Sequence, residues 1–395
     1  MLKCKLFSSL LACVFVITGA PVGSPIVVNE CLYGDMSNSS FLQTTSTLEG
    51  KILWSKPTGN KEAIPAQHII LVDESVLIRF SSRLNCFNIK DGKLKWSEWL
   101  GNNFKFQIID GMVRTRLPGG NIGAIGCDGK KIPERYVYMI GDETFLFYFT
   151  ENAHEDDFCY SLLPHPTSGP GENGVTPAFV YTRYNNSELD VIWEHIIYEQ
   201  LVDLLSDATG NLLYAIAYNG IHIIPKKGSS DHDVRSIPFA AVYQASLDSK
   251  SNIYAVVEQD ERGESGVVKH TRLVCIGKNR KTQWHYDLPS EKIAQPPSPL
   301  PDGKIYLIVD TRLLCVEHGN LVWAYEIPST NSGIFMTVLK DETALIVTGP
   351  FLIKVTADGK EENRMVFEEM LTCRPVVDEK GLIYVAGTKQ VYCVK

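Results

Sequence analysis

The chain has 395 residues, 44% of them hydrophobic and 21% charged, with ten cysteines and a formal net charge of -8 at pH 7. The length suits one large repeat domain, so dividing it into two or three domains by length alone would mislead. The acidic balance and the lack of any lysine- or arginine-rich block argue against nucleic acid and anionic membrane as partners, because both need a basic patch facing phosphates.

Residues 1–20 begin with Lys3 and Lys5, continue through LFSSLLACVFVI and end on Thr18, Gly19 and Ala20. This is the layout of a secretory signal peptide, too short for a spanning helix. Its loss removes two of the 38 basic residues and no acidic ones, leaving 36 against 46 and a formal charge of -10. No later apolar stretch reaches membrane-spanning length, and the terminal QVYCVK carries no ER-retention tetrapeptide. The expectation is a soluble, secreted, extracellular monomer, with the ER lumen as one alternative. LLAC at 10–13 is a lipidation pattern that offers another, a lipid-anchored periplasmic protein, although the apolar VFVI beyond Cys13 favours an ordinary signal. Residues 21–46 read as an N-terminal extension. Asn38 (NSS) within it and Asn185 (NNS) further on are glycosylation acceptors.

Behind the extension the chain repeats. Tyr214, Tyr254, Tyr306, Leu345 and Tyr384 each follow a polar turn and open an apolar run, at spacings of 40, 52, 39 and 39. A second series ends at Phe87, Ile276, Val316, Val355 and Val394, and a third sets Trp96, Trp284 and Trp323 near the end of the unit, in GKLKW, KTQW and GNLVW. Short strands recurring about every forty residues, broken at Gly, Asp and Asn turns and without helical periodicity, are the signature of propeller blades. The units fall at about 64–100, 101–140, 141–197, 198–239, 240–289, 290–328, 329–368 and 369–395. They predict an all-β fold, an eight-bladed β-propeller over 47–395, with seven as the alternative count because the second and third units are weakly marked. The last unit holds three strands and stops where a GxxxW strand is due. TLEGKILWSK at 47–56 sets Gly50 and Trp54 in that spacing, so the N-terminal segment is expected to complete the last blade and close the ring.

An apolar strand, a small residue, a Gly and then a Trp together resemble the pyrroloquinoline-quinone-type repeat of the quinoprotein alcohol dehydrogenase-like propellers, a superfamily that includes the BamB-like outer-membrane assembly lipoproteins. The resemblance covers 47–100 and 198–395 well and 101–197 poorly. There the small residue precedes Trp by ten positions; here Cys86, Cys275 and Cys315 precede Trp96, Trp284 and Trp323 by ten, nine and eight. The resemblance implies that Trp54, Trp96, Trp284 and Trp323 dock between neighbouring blades. It implies little about function, since one fold hosts many.

Cys4 and Cys13 leave with the signal. Cys86, Cys275, Cys315 and Cys393 share one place on the third strand of four blades, and rotation about a propeller axis holds such positions far beyond the roughly 7 Å that a disulfide spans. They read as buried thiols that pack as small apolar groups. Cys31, Cys127, Cys159 and Cys373 stand elsewhere and allow three connectivities. Among these, Cys31 with Cys373 would lock the ring, and Cys127 with Cys159 would tie units two and three.

Quinone catalysis in the family manner needs an adjacent cysteine pair, a calcium site and a catalytic Asp. No CC pair and no CxxCH occurs, and no quinone, metal or other cofactor is expected. The EDDF cluster after His154, and Asp231, His232 and Asp233, combine carboxylate with imidazole but lack a ligand spacing, so they read as solvated acidic loops. Two insertions say more: 164–177 (PHPTSGPGENGVTP) and 258–270 (EQDERGESGVVKH) separate the second and third strands of their units and project as loops from one rim. The reading is a secreted, non-enzymatic propeller scaffold for a protein or extracellular matrix partner. The alternatives are a BamB-like lipoprotein of an assembly machinery and an enzyme with a divergent pocket in the central channel.

Overall fold

The computed structural model describes residues 41–58, 64–101, 106–109, 112–116, 122–135, 146–149, 158–164, 179–185, 191–197, 201–206, 212–225, 234–263, 266–290, 292–330 and 332–395. Among them the regular elements are strands, and no helix is long and apolar enough to cross a membrane. The strands pair into eight sheets, each built on four antiparallel strands, at 68–99, 106–135, 146–197, 201–238, 241–287, 298–326, 334–366 and 376–394. These spans follow the units read from the repeat, the weakly marked second and third included.

Within each sheet, apart from the added strands Phe41–Leu42 and Ile52–Pro57, neighbours in the sequence are neighbours in the ladder. Two consequences follow from that meander. The hairpin between the second and third strands and the exit to the next sheet share one end, here named the linker end. The first-to-second and third-to-fourth turns share the other, the turn end.

The eighth sheet has three strands of its own, Val376–Val377, Ile383–Ala386 and Gln390–Val394. Its fourth is Ile52–Pro57, with Trp54 opposite Cys393 and Lys56 opposite Val391. Lys51 and Lys395 extend that ladder by exchanging N–H to C=O bonds of 2.9 Å in both directions. Packing begins ahead of the expected residue 47: Phe41–Leu42 runs parallel to Ile334–Leu339 as a fifth strand of the seventh sheet.

One row crosses the sheets at a constant height. Tyr254, Cys275 and Trp284 lie opposite one another on the second, third and fourth strands of sheet five. Tyr306, Cys315 and Trp323 do so in sheet six, Tyr384, Cys393 and Trp54 in sheet eight, and Leu77, Cys86 and Trp96 in sheet one. In all four the register slips immediately beside the Trp. A bulge of this kind bends the outer strand and re-aims the side chain that follows it. Phe87 pairs with Leu94, Ile276 with Thr282 and Val316 with Leu321. The intervening turn therefore shortens by one residue at each step, which accounts for Cys-to-Trp separations of ten, nine and eight.

Middle strands are buried on both faces: Tyr306, Leu307 and Ile308 are all 0% exposed. This is why IYLIV reads as a continuous apolar run rather than an alternation. Outer strands alternate exposed and half-buried residues instead.

Candidate binding rim

The tryptophans that the repeat marks are seam residues. Trp54, on the eighth sheet, donates from Nε1 to Ile89 O of the first sheet at 3.3 Å; Trp96 donates from the first sheet to Cys127 O of the second at 3.1 Å; Trp323 donates from the sixth to Ala357 O of the seventh at 2.9 Å. Each acceptor lies in a third-to-fourth turn, and a glycine at positive φ lets the indole approach. A Cβ on Gly92 would stand 2.5 Å from Trp54, one on Gly359 2.6 Å from Trp323, and one on Gly129 3.0 Å from Trp96. Trp284 packs among buried residues of sheets five and six, against Tyr254 at 6.0 Å between ring centroids.

The cysteines depart in part from expectation. Cys86, Cys275, Cys315 and Cys393 are buried free thiols in the shared row. Cys373 is also a buried free thiol, which corrects its expected bridge with Cys31, while the side chain of Cys159, expected to pair with Cys127, lies outside the described residues. The physical reason is visible at Cys373: it is 0% exposed and its thiol donates to Ala386 O at 3.6 Å within its own blade. Cys31 lies outside the described residues, as do Asn38, His154 and 231–233. Asn185 ends the strand Phe179–Asn185 of sheet three. Among the described residues no three His, Cys, Asp or Glu gather as metal ligands.

The insertions are at the linker end, but one of them is not a loop. Residues 258–270 form a ribbon that prolongs Ile253–Gly263 and Gly266–Ile276, with Gln259 opposite His270, Glu261 opposite Val268 and Gly263 opposite Gly266. Paired glycines with two residues between them have hairpin spacing, and that was the signal to find it by. The first strand of the sheet stops pairing at Ala241 opposite Glu258 and the fourth at Asp287 opposite Arg272, so the ribbon stands beyond both. Residues 165–178 of the other insertion lie outside the described residues; the strands they join, Phe158–Pro164 and Phe179–Asn185, end and begin at the linker end.

Charge braces the ribbon's base. Arg272, with a side chain only 9% exposed, donates to Asp287 at 2.6 Å, to Glu261 at 2.5 Å and to Gln259 at 3.0 Å. These hydrogen bonds hold the carboxyls of Glu261 and Asp287 below their ordinary range. On the other face Lys269 donates to Glu258 at 2.6 Å and lowers it likewise, while Tyr243 donates to the same carboxylate at 3.3 Å.

Exposed large apolar residues sort by end. Trp99 (52%), Val202, Tyr218, Val268, Val366 (66%) and Met370 all lie at the linker end: in exits, at the start of a first strand, in a second-to-third turn, or on the ribbon. Ile52, Leu53, Leu94, Leu321 and Val322 instead begin outer strands at the turn end, beside the bulges. The linker end thus combines aromatic and aliphatic side chains with a braced projection. Such a surface contributes binding energy when a partner covers it.

No family model matches the sequence, and no curated protein matches it. Solved structures do. A quinohemoprotein alcohol dehydrogenase from Pseudomonas putida is 12% identical with a TM-score of 0.57, over 91% of this chain and 78% of that one. BamB from Moraxella catarrhalis is 9% identical with a TM-score of 0.50, over 87% of this chain and 99% of that one. Apo AztD from Citrobacter koseri is 12% identical with a TM-score of 0.54, over 75% and 84%. The likeness shows the fold alone, a β-propeller like those of these three proteins. In such a fold four-stranded meander sheets are the blades, and their linker ends share one face. The residues present do not fit the quinone that the dehydrogenase's name implies. The sequence has no adjacent cysteine pair, and the described row cysteines stand singly in different blades between their own Tyr or Leu and Trp.

Proposed function

We propose that the chain is a secreted, non-enzymatic propeller of eight blades, closed by its own N-terminal strand, that binds a protein or matrix partner through the linker-end rim. The observation that carries this reading is the meeting, at one end, of a ribbon braced by Arg272 and six exposed large apolar side chains. A braced projection loses little conformational freedom on binding, and exposed aromatics are the side chains on which hot spots form. BamB, which spans 99% of its own length in the match, favours a second reading as a component of a protein assembly, in which the same rim also serves.

The test replaces 259–270 by a Gly-Ser turn that keeps the pairing of Glu258 with Thr271, and compares partner capture from the native secretome by the two proteins. Loss of tenfold or more in affinity, about 1.4 kcal/mol, is expected for the shortened chain, which keeps its fold. Equal affinity refutes the rim. The mass of the mature N-terminus separates a secreted chain from one lipidated at Cys13.

A further inference from the structure

The seam between the seventh and eighth blades is built differently from the four seams that carry Trp54, Trp96, Trp284 and Trp323. Where the rows of sheets one, five, six and eight read Tyr or Leu, Cys, Trp, the seventh blade reads Leu345, Lys354, Asn363. It sends no indole across. Gly50, which stands in the GxxxW spacing and has φ +80 like the glycines beneath Trp54, Trp96 and Trp323, meets nothing within 4 Å of its Cβ. Residues 42–48 of the chain itself run along this seam instead.

That segment is extended, with alternate residues turned inward: Leu42 and Thr44 at 7% exposure, Ser46 and Leu48 at 5%, and exposed residues between them. The seventh blade holds its alternate carbonyls. Lys340 N–H donates to Thr44 O at 2.8 Å, the Lys354 ammonium to Ser46 O at 2.8 Å, and the Asn363 amide to Leu48 O. The eighth blade accepts its alternate hydroxyls, Thr44 Oγ1 to Asp378 O at 3.1 Å and Ser46 Oγ to Gly381 O at 2.6 Å. Leu42 and Leu48 enter one core cluster with residues of both blades. Lys354 is 4% exposed and pairs with Glu362 at 3.0 Å, so its charge is met within the blade and the segment need supply only a carbonyl.

We propose that this seam is a peptide-binding slot for a neutral extended segment of the pattern Leu-x-Thr/Ser-x-Ser/Thr-x-Leu, of which residues 42–48 are the resident, displaceable ligand. One wall reads main-chain carbonyls and is indifferent to side chains. The other presents two acceptor carbonyls, and a ligand without hydroxyls there forfeits two hydrogen bonds. Held in cis, the segment has the advantage of high effective concentration and closes the seam. The slot opens at the turn end, away from the rim proposed above, and stands or falls independently of it.

The test uses the full mature chain carrying Thr44→Ala and Ser46→Ala, which weakens the resident segment, and a fluorescent peptide with the sequence of residues 41–50. Saturable binding is expected, at least tenfold tighter than to the unsubstituted chain, and at least tenfold weaker for a peptide with Ala at the two hydroxyl positions. No binding, equal binding to both chains, or indifference to the hydroxyls overturns the proposal. If the substituted chain does not fold, hydrogen exchange on the unsubstituted chain decides. The Lys340 amide is expected to exchange through a local opening well below global unfolding, and exchange only through global unfolding overturns the slot.

Discussion

The glycines beneath the tryptophans show how one atom sets a seam. Gly50 and Gly92 share a turn geometry, at φ +80 and +67, but only Gly92 carries an indole above it. An alanine at either position costs about 1–2 kcal/mol for the left-handed backbone. At Gly92 overpacking against Trp54 adds about 1–3 kcal/mol. Denaturant titration of Gly50→Ala and Gly92→Ala should therefore show the larger loss at Gly92, and equal losses would remove the docking role of Trp54. The buried cysteines make a second statement at this scale. Burial pushes the thiols of Cys86, Cys275 and Cys393 up to about 11 and those of Cys315 and Cys373 up to about 12, from an ordinary 9.0. With folded values above the unfolded one, this stabilisation is complete below about pH 9 and is lost as the pH rises through about 11 to 12. The melting temperature should fall across that window, and Cys→Ala at these five positions should flatten the fall; an unchanged slope would show that the thiols do not couple to folding.

At the scale of elements, the ribbon tests whether charge can order a projection. Exposed ion pairs contribute little, but Arg272 is nearly buried and serves two carboxylates. In Arg272→Met the ladder amides of Glu261, Val268 and His270 should exchange at least tenfold faster, while the blades keep their protection. Unchanged exchange would mean that the strand ladder alone holds the ribbon. The strands themselves were legible because the repeat imposes one pattern several times: Tyr or Leu opens the second strand, Cys sits in the third and Trp in the fourth. The bulge was not legible, since it lies in the register between strands and leaves only a drifting Cys-to-Trp spacing. The ribbon was hidden by its charges, EQDERGES, which read as solvated loop, although the paired Gly263 and Gly266 mark a hairpin. FLIKV and EENRM, with Lys354 and Asn363 where Cys and Trp are due, already broke the series in sequence. What that break accommodates appears only once residues 42–48 are seen lying across it.

At the scale of the whole molecule, the pairing of Lys51 with Lys395 joins residues 344 apart and is the point at which closure can be trapped. A hydrogen-bonded antiparallel pair stands about 5.5 Å apart at Cα, within disulfide range. Lys51→Cys with Lys395→Cys should oxidise to an intramolecular bridge in the monomer and raise stability by about 2–4 kcal/mol. Dimers, or no bridge, would contradict closure by the N-terminal strand. The partner-binding face is tested most directly by site-specific photocrosslinking in the native secretome. A photoreactive residue at Val268, Tyr218 or Met370 should give covalent adducts with one and the same partner, and the same group at Leu53 or Leu321 should give none. Adducts from Leu53 or Leu321 in place of Val268 would contradict the account.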